Sequence, residues 1–142
     1  MAKLFDISIV TPEKKVFEGK IQSLTAPGIE GDFGVLASHA AFATVLAPGV
    51  VEIKHEDSRQ ELIAVSGGYI EVAKDKAVLL LETAETEADV DVEAAKRRKD
   101  EKEKLLKAKS AGDVDYDKVK AELLKEISRL KAIQVLERRR KH

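Results

Sequence analysis

Apolar side chains in this chain repeat every second residue as far as about Glu85, and at spacings of three and four from about Asp89 onward. A period of two belongs to a half-buried strand, and spacings of three and four belong to a helix face. One layer of regular structure cannot satisfy both, so the chain must build a β part and then a helical part. Charge divides at the same place. Residues 1–85 carry 8 Lys and Arg against 13 Asp and Glu, and residues 86–142 carry 17 against 13, so the formal charge of −1 hides an acidic first part and a basic second part.

In the first part Phe5, Ile7 and Ile9 alternate with Asp6 and Ser8, and TPEKK turns the chain. Short elements follow at Val16–Glu18, Ile21–Ala26, Ala43–Leu46, Val50–Lys54, Glu61–Val65, Tyr69–Ala73 and Ala77–Thr83, with Gly, Pro or charged clusters between them. Short strands with turn chemistry at regular intervals indicate a sandwich or a flattened barrel; no βαβ unit is visible. The stretch PGIEGDFGVLASHAAF, residues 27–42, holds Gly28, Gly31 and Gly34, too many glycines for a helix, and reads as a shaped loop.

The second part is rich in Ala, Glu, Lys and Leu. GDVDY, residues 112–116, supplies a helix stop and then an Asp suited to capping, so two helices joined as an antiparallel hairpin are expected. The two arms are unequal. Val119, Leu123, Ile127, Leu130 and Ile133 form an apolar stripe on the second, whereas Asp91–Ala108 offers alanines, Leu105-Leu106 and the stems of KRRKDEKEK. Full burial of an aliphatic side chain is worth about 1.5–3 kcal/mol, so an incompletely covered stripe favours whichever surface covers it best. Two readings stand at this point: the second helix packs on the first and both on the β part, or the hairpin is a two-state element with a partner of its own.

Composition narrows the chemistry. The 142 residues are 44% hydrophobic and include no cysteine, which excludes disulfides, thiolate metal sites and a thiol nucleophile. No apolar run approaches the roughly 18 residues of a membrane span, and MAKLFDISIV lacks a signal-peptide pattern, so a cytoplasmic chain is expected. Ser38 adjoins His39 with Asp32 nearby, but sequence neighbours do not define a triad. VSGGY lacks the glycine that a nucleophile elbow needs, and the spacing GxxGxxG is not a phosphate loop, so no catalysis is expected. An acidic β part and 4% aromatic content argue against nucleic acid.

The ordered set VTPEKKVFEG, PGIEGDFGVLASHAAFATVLAPGVVEI, VSGGYIEV, LLLETAE, GDVDY and AELLKEISRLKAI resembles the epsilon-subunit family of the F-type ATP synthase over nearly the whole chain. The resemblance implies an α+β chain: a ten-stranded β-sandwich at residues 1–85, then a mobile helical hairpin at 89–142. It implies a rotor component at the foot of the central stalk that binds the gamma subunit and the c-ring. Such a subunit couples ion flow to ATP synthesis and restrains ATP hydrolysis through its helices. It would lie on the cytoplasmic face of the cell membrane as a peripheral part of the complex, meeting the catalytic alpha and beta subunits transiently.

Carried over by position, Asp32 and His39 would meet the c-ring, with Ala41 where the family commonly has a proline. The stripe from Val119 to Ile133 would be the regulatory face, and Arg138, Arg139 and Arg140 in ERRRKH its basic inhibitory end. Some members bind ATP between the helices through an Asp followed three residues later by Arg. Asp91 and Arg129 match, but Ala94 replaces that arginine, so weak or absent ATP binding and no other cofactor are expected. The alternative function is a free-standing β-sandwich binding module with a helical protein-interaction appendage.

Overall fold

The computed structural model describes residues 3–140. Nine strands come first: β1 Phe5–Val10, β2 Lys15–Gly28, β3 Gly31–Leu36, β4 Phe42–Leu46, β5 Gly49–His55, β6 Gln60–Val65, β7 Gly68–Ala73, β8 Lys76–Leu81 and β9 Ala84–Thr86. Two helices follow, α1 Val92–Lys107 and α2 Tyr116–Arg140. These strands bear out the expected β-sandwich, and Gly19 does not break the chain. It pairs with Ile7 inside a continuous ladder, and a single strand replaces the two short elements expected on either side.

The glycine-rich stretch is also a strand rather than a loop. Pro27 and Gly28 finish β2, Ile29 and Glu30 turn, and β3 returns antiparallel with Pro27 opposite Asp32. Gly31 has φ of 128°, which a side chain would strain, and a Cβ on Gly28 would sit 2.8 Å from the Gly31 carbonyl oxygen. Gly34 meets no such restriction, since its nearest neighbour lies at 3.9 Å.

β2 is the member that joins two layers. Its first half pairs with β1 and its second half with β3, while β5 runs along the opposite edge. From β1 the order continues through β8, β7 and β4, with β1 and β8 parallel, and Leu46 of β4 closes back on Gly28. From β5 it continues through β6 to β9. Between the layers lie Phe5, Ile7, Ile9, Ile21, Leu24, Ile53, Ile63, Ile70 and Leu79, all buried, a β-sandwich core made from one face of each strand.

A second, smaller cluster lies outside the sandwich. Alternation along β5 and β6 points Val51, Ile63 and Val65 inward but leaves Val50 and Ala64 facing outward. Onto them pack Leu130, Ala132, Ile133 and Leu136 of α2, with Ala95 as the one fully buried residue of α1. The hairpin itself is joined by charge: Lys102 with Glu122, Arg98 with Glu126 at 3.1 Å, and Lys109 with Asp115 at 2.9 Å.

The junction between the helices departs in detail from expectation. α1 stops at Lys107, before Gly112, and the Asp115 carboxylate is taken by Lys109 rather than by the start of α2. A cap not expected from sequence is supplied by Asp91, which accepts from the Ala94 N–H at 3.0 Å at the start of α1.

Candidate functional site

Asp32 and His39 flank the β2–β3 hairpin but do not converge on one point. Asp32 is exposed and lines a groove with Pro48, Val50, Val135 and Arg139, on the α2 side of the sheet. Its neighbour Phe33 turns to the other face and meets Phe42 edge-on at 5.4 Å, and the His39 ring lies 5.0 Å from Phe42 on that side. The His39 Nδ1–H donates to the Ala40 carbonyl oxygen at 2.8 Å, so local backbone satisfies one of its ring nitrogens. The segment holds its shape without a proline at Ala41. Ser38, at φ of 65°, donates its backbone N–H to Asp75 at 2.8 Å, and Lys3 donates to the Ser38 hydroxyl at 2.7 Å. At the tip of the hairpin Ile29 stands exposed beside Glu30.

A surface that sequence reasoning missed crosses the other layer. Val45 pairs with Tyr69, Tyr69 with Leu80, and Leu80 with Val10, a row running across β4, β7, β8 and β1. Three of its four members are open to solvent, with Val45 50%, Tyr69 40% and Leu80 53% exposed, and Val10 is half-buried. A signal was present in LLL, residues 79–81. Alternation lets Leu79 and Leu81 reach the core and forces Leu80 outward.

The α2 stripe divides in two. Val119, Leu130 and Ile133 are buried and Leu123 is half-buried, but Ile127 is 41% exposed, beside an exposed Leu124. The buried seam instead continues to Leu136, three residues beyond Ile133 and unassigned from sequence. The basic end lies at the edge of the same seam, with Arg138, Arg139 and Arg140 exposed; Lys141 and His142 of ERRRKH fall outside the described residues.

Asp91 and Arg129 are both already engaged. The Asp91 carboxylate caps α1, and the Arg129 guanidinium pairs with Glu85, which is buried, and with Glu126 at 3.8 Å. Hydrogen bonding to Lys102 lowers the Glu122 pKa below the ordinary glutamate range, and the same bond raises that of Lys102. Among the described residues no cluster of His, Asp and Glu is arranged to hold a metal ion, and no helix is long and apolar enough to cross a membrane.

Residues 4–87 match the family of the ATP synthase delta/epsilon chain β-sandwich domain. ATP synthase epsilon chains of Moorella thermoacetica and Chromohalobacter salexigens are 38% and 37% identical to this chain over 132 residues. Each alignment covers 93% of this chain, with 97% and 93% of the two relatives. The epsilon chain of Teredinibacter turnerae is 34% identical over 98% of this chain and 99% of its own length. The chain belongs to the ATP synthase epsilon chain family.

The epsilon fold recurs in solved assemblies. A chain in the Euglena gracilis mitochondrial ATP synthase, OSCP/F1/c-ring in rotational state 1, superposes with a TM-score of 0.66 at 20% identity, covering 94% of this chain and 79% of that one. One in the Tetrahymena thermophila mitochondrial ATP synthase central stalk and c-ring gives 0.54 at 14% identity, covering 94% and 96%. As an epsilon chain this protein is a subunit of the synthase and not its catalytic part. Of the residues that sequence reading overlooked, only Leu80 had a local signal, in LLL; Val10, Val45 and Tyr69 on the sheet and Glu85 beneath Arg129 carry no motif and become visible when strands are paired and the helix is laid down.

Proposed function

We propose that this epsilon chain works in the central stalk of the rotor, coupling it to the c-ring through the sandwich and restraining ATP hydrolysis through the hairpin. The observation that carries this reading is the open apolar row Val10, Val45, Tyr69 and Leu80, which crosses four strands on a face away from the helix seam. A contiguous apolar row on a soluble face is a docking surface, and the gamma subunit is the partner assigned to it. The tip at Ile29 and Glu30, with Asp32 and His39 on its two faces, is the part that meets the c-ring. The membrane is reached only through the complex, from its cytoplasmic side.

The hairpin acts by exchanging partners. Docked, α2 covers Val50 and Ala64; extended, it frees Leu130, Ile133 and Leu136 to join Leu124 and Ile127 along the stalk, with Arg138–Arg140 toward acidic parts of the alpha and beta subunits. Nucleotide binding between the helices is weak or absent, because Asp91 and Arg129 are committed within the chain and Ala94 supplies no guanidinium.

The test is ATP hydrolysis by the catalytic hexamer carrying gamma, titrated with the full chain and with a chain ending at Glu87, which retains β9. Both should bind and only the full chain should slow hydrolysis. Binding of neither would end the reading.

A further inference from the structure

The face of α2 that packs on the sandwich does not end with its apolar residues. Arg139 follows Leu136 by three and Val135 by four, so the same helical face continues as positive charge. The sheet beneath changes in step. On β5 the outward position after Val50 is Glu52, and the Arg139 Nη2–H donates to the Glu52 Oε2 at 2.9 Å. Arg140 reaches the segment after β9, with Nε 3.6 Å from Glu87 Oε2 and its Nη1–H donating to the Glu87 carbonyl oxygen at 3.4 Å. Glu137 also accepts from Arg140, at 2.9 Å. Asp32 adds another carboxylate to the groove that Arg139 lines. Two of the three arginines that end α2 are thus held by glutamates of β5 and of the segment just after β9.

We propose that Glu52 and Glu87 form an intramolecular latch that masks the basic end of α2 from acidic protein surfaces. Docking on the sandwich and engaging an acidic partner use the same two guanidinium groups, so each excludes the other. The acceptors in the docked state are carboxylates, which makes the sandwich an electrostatic mimic of the partner surface it competes with. The proposal rests on the reading of α2 as the mobile brake, but the latch itself is a property of the isolated full chain and can be measured there.

The experiment compares amide exchange across Leu130–Leu136 in the full wild-type chain and in E52Q/E87Q. Partly exposed pairs contribute about 0.2–1 kcal/mol each, so losing two should speed exchange about 2- to 30-fold at about 1.4 kcal/mol per tenfold. E56Q/E71Q makes the same change in net charge at carboxylates that hold no ion pair among the described residues, and should leave exchange unchanged. E52R should accelerate exchange further, and E52R/R139E should restore it. Wild-type exchange in E52Q/E87Q, or equal acceleration in the control, overturns the latch whether or not the chain slows hydrolysis. If exchange responds as expected, E52Q/E87Q should also inhibit the gamma-bearing hexamer at a concentration lower by the same factor. Fast exchange with no inhibition by either chain leaves the latch standing and overturns the brake reading instead.

Discussion

The sandwich and the hairpin solve the same problem with different materials. Inside the sandwich nine large apolar side chains from six of the strands are fully enclosed, and no charged group takes part in that cluster. In the hairpin α1 fully buries a single alanine; the ion pairs Lys102–Glu122 and Arg98–Glu126 join it to α2, and Lys109–Asp115 closes the connection between the helices. Apolar burial is not screened by salt and is costly to undo, while exposed ion pairs are weak and easily exchanged. The difference teaches where contacts can exchange without unfolding: between the two helices, and hardly at all between the layers of the sandwich, while the seam between α2 and β5–β6, a small apolar cluster edged by ion pairs, stands between these extremes.

Several substitutions would break or sharpen this contrast. Ile53→Ala, inside the sandwich, should lower global stability by about 2–5 kcal/mol in urea unfolding. Leu136→Ala, in the seam, should cost about 1.5–3 kcal/mol of α2 docking, seen as faster amide exchange in α2, while exchange in β5 and β7 stays slow. An equal loss of protection in both would mean that the two regions form one cooperative unit. Leu80→Gln, on the open row, should alter stability by no more than about 0.5 kcal/mol but weaken binding to a gamma subunit in a titration.

The smallest effect is that of pH on the helix pair. The folded-state pKa of Glu122 is lowered by its hydrogen bond to Lys102, and that of Asp115 by its bond to Lys109. Their contribution is therefore present above the ordinary carboxylate range and lost as pH falls through the depressed values. Lys102 and Lys109 are shifted upward by the same bonds, so their contribution is present below the ordinary lysine range and lost as pH rises through the raised values. Amide protection in α1, taken relative to the intrinsic exchange rate at each pH, should be greatest between those limits and lower at either extreme, with E122Q removing most of the response from the Lys102 side.

Much of this was legible in the sequence because it rests on local patterns. The change of period near Glu85 marks where strands give way to helices, whereas the cap expected in GDVDY is not used and Asp91, read from sequence only as the start of the first arm and a nucleotide match, caps α1. What stayed hidden depends on pairing. Gly19 reads as a break, yet its place opposite Ile7 keeps β2 unbroken, and three closely spaced glycines read as a loop although only the turn at Ile29–Glu30 needs two of them. The stripe on α2 is correct in period, but which of its members are covered depends on the outward positions of β5 and β6. Hence Ile127 is left open while Leu136, outside the stripe as read, is enclosed. Asp32 and His39 are close in sequence and on opposite sides of the hairpin, because the chain leaves β3 at Leu36 and turns at Ser38 before His39, which spacing alone did not settle.

The unbroken course of β2 has a mechanical consequence. A tug on the tip at Ile29 and Glu30, directed along the strand, loads the ladders to β1, β3 and β5 side by side, so their hydrogen bonds resist in shear and must yield together. A tug on the end of α2 instead lifts Arg140, then Arg139, then Leu136, one contact after another, as tape comes off a surface. The same small protein is therefore stiff when pulled by the tip of its β2–β3 hairpin and compliant when pulled by its tail.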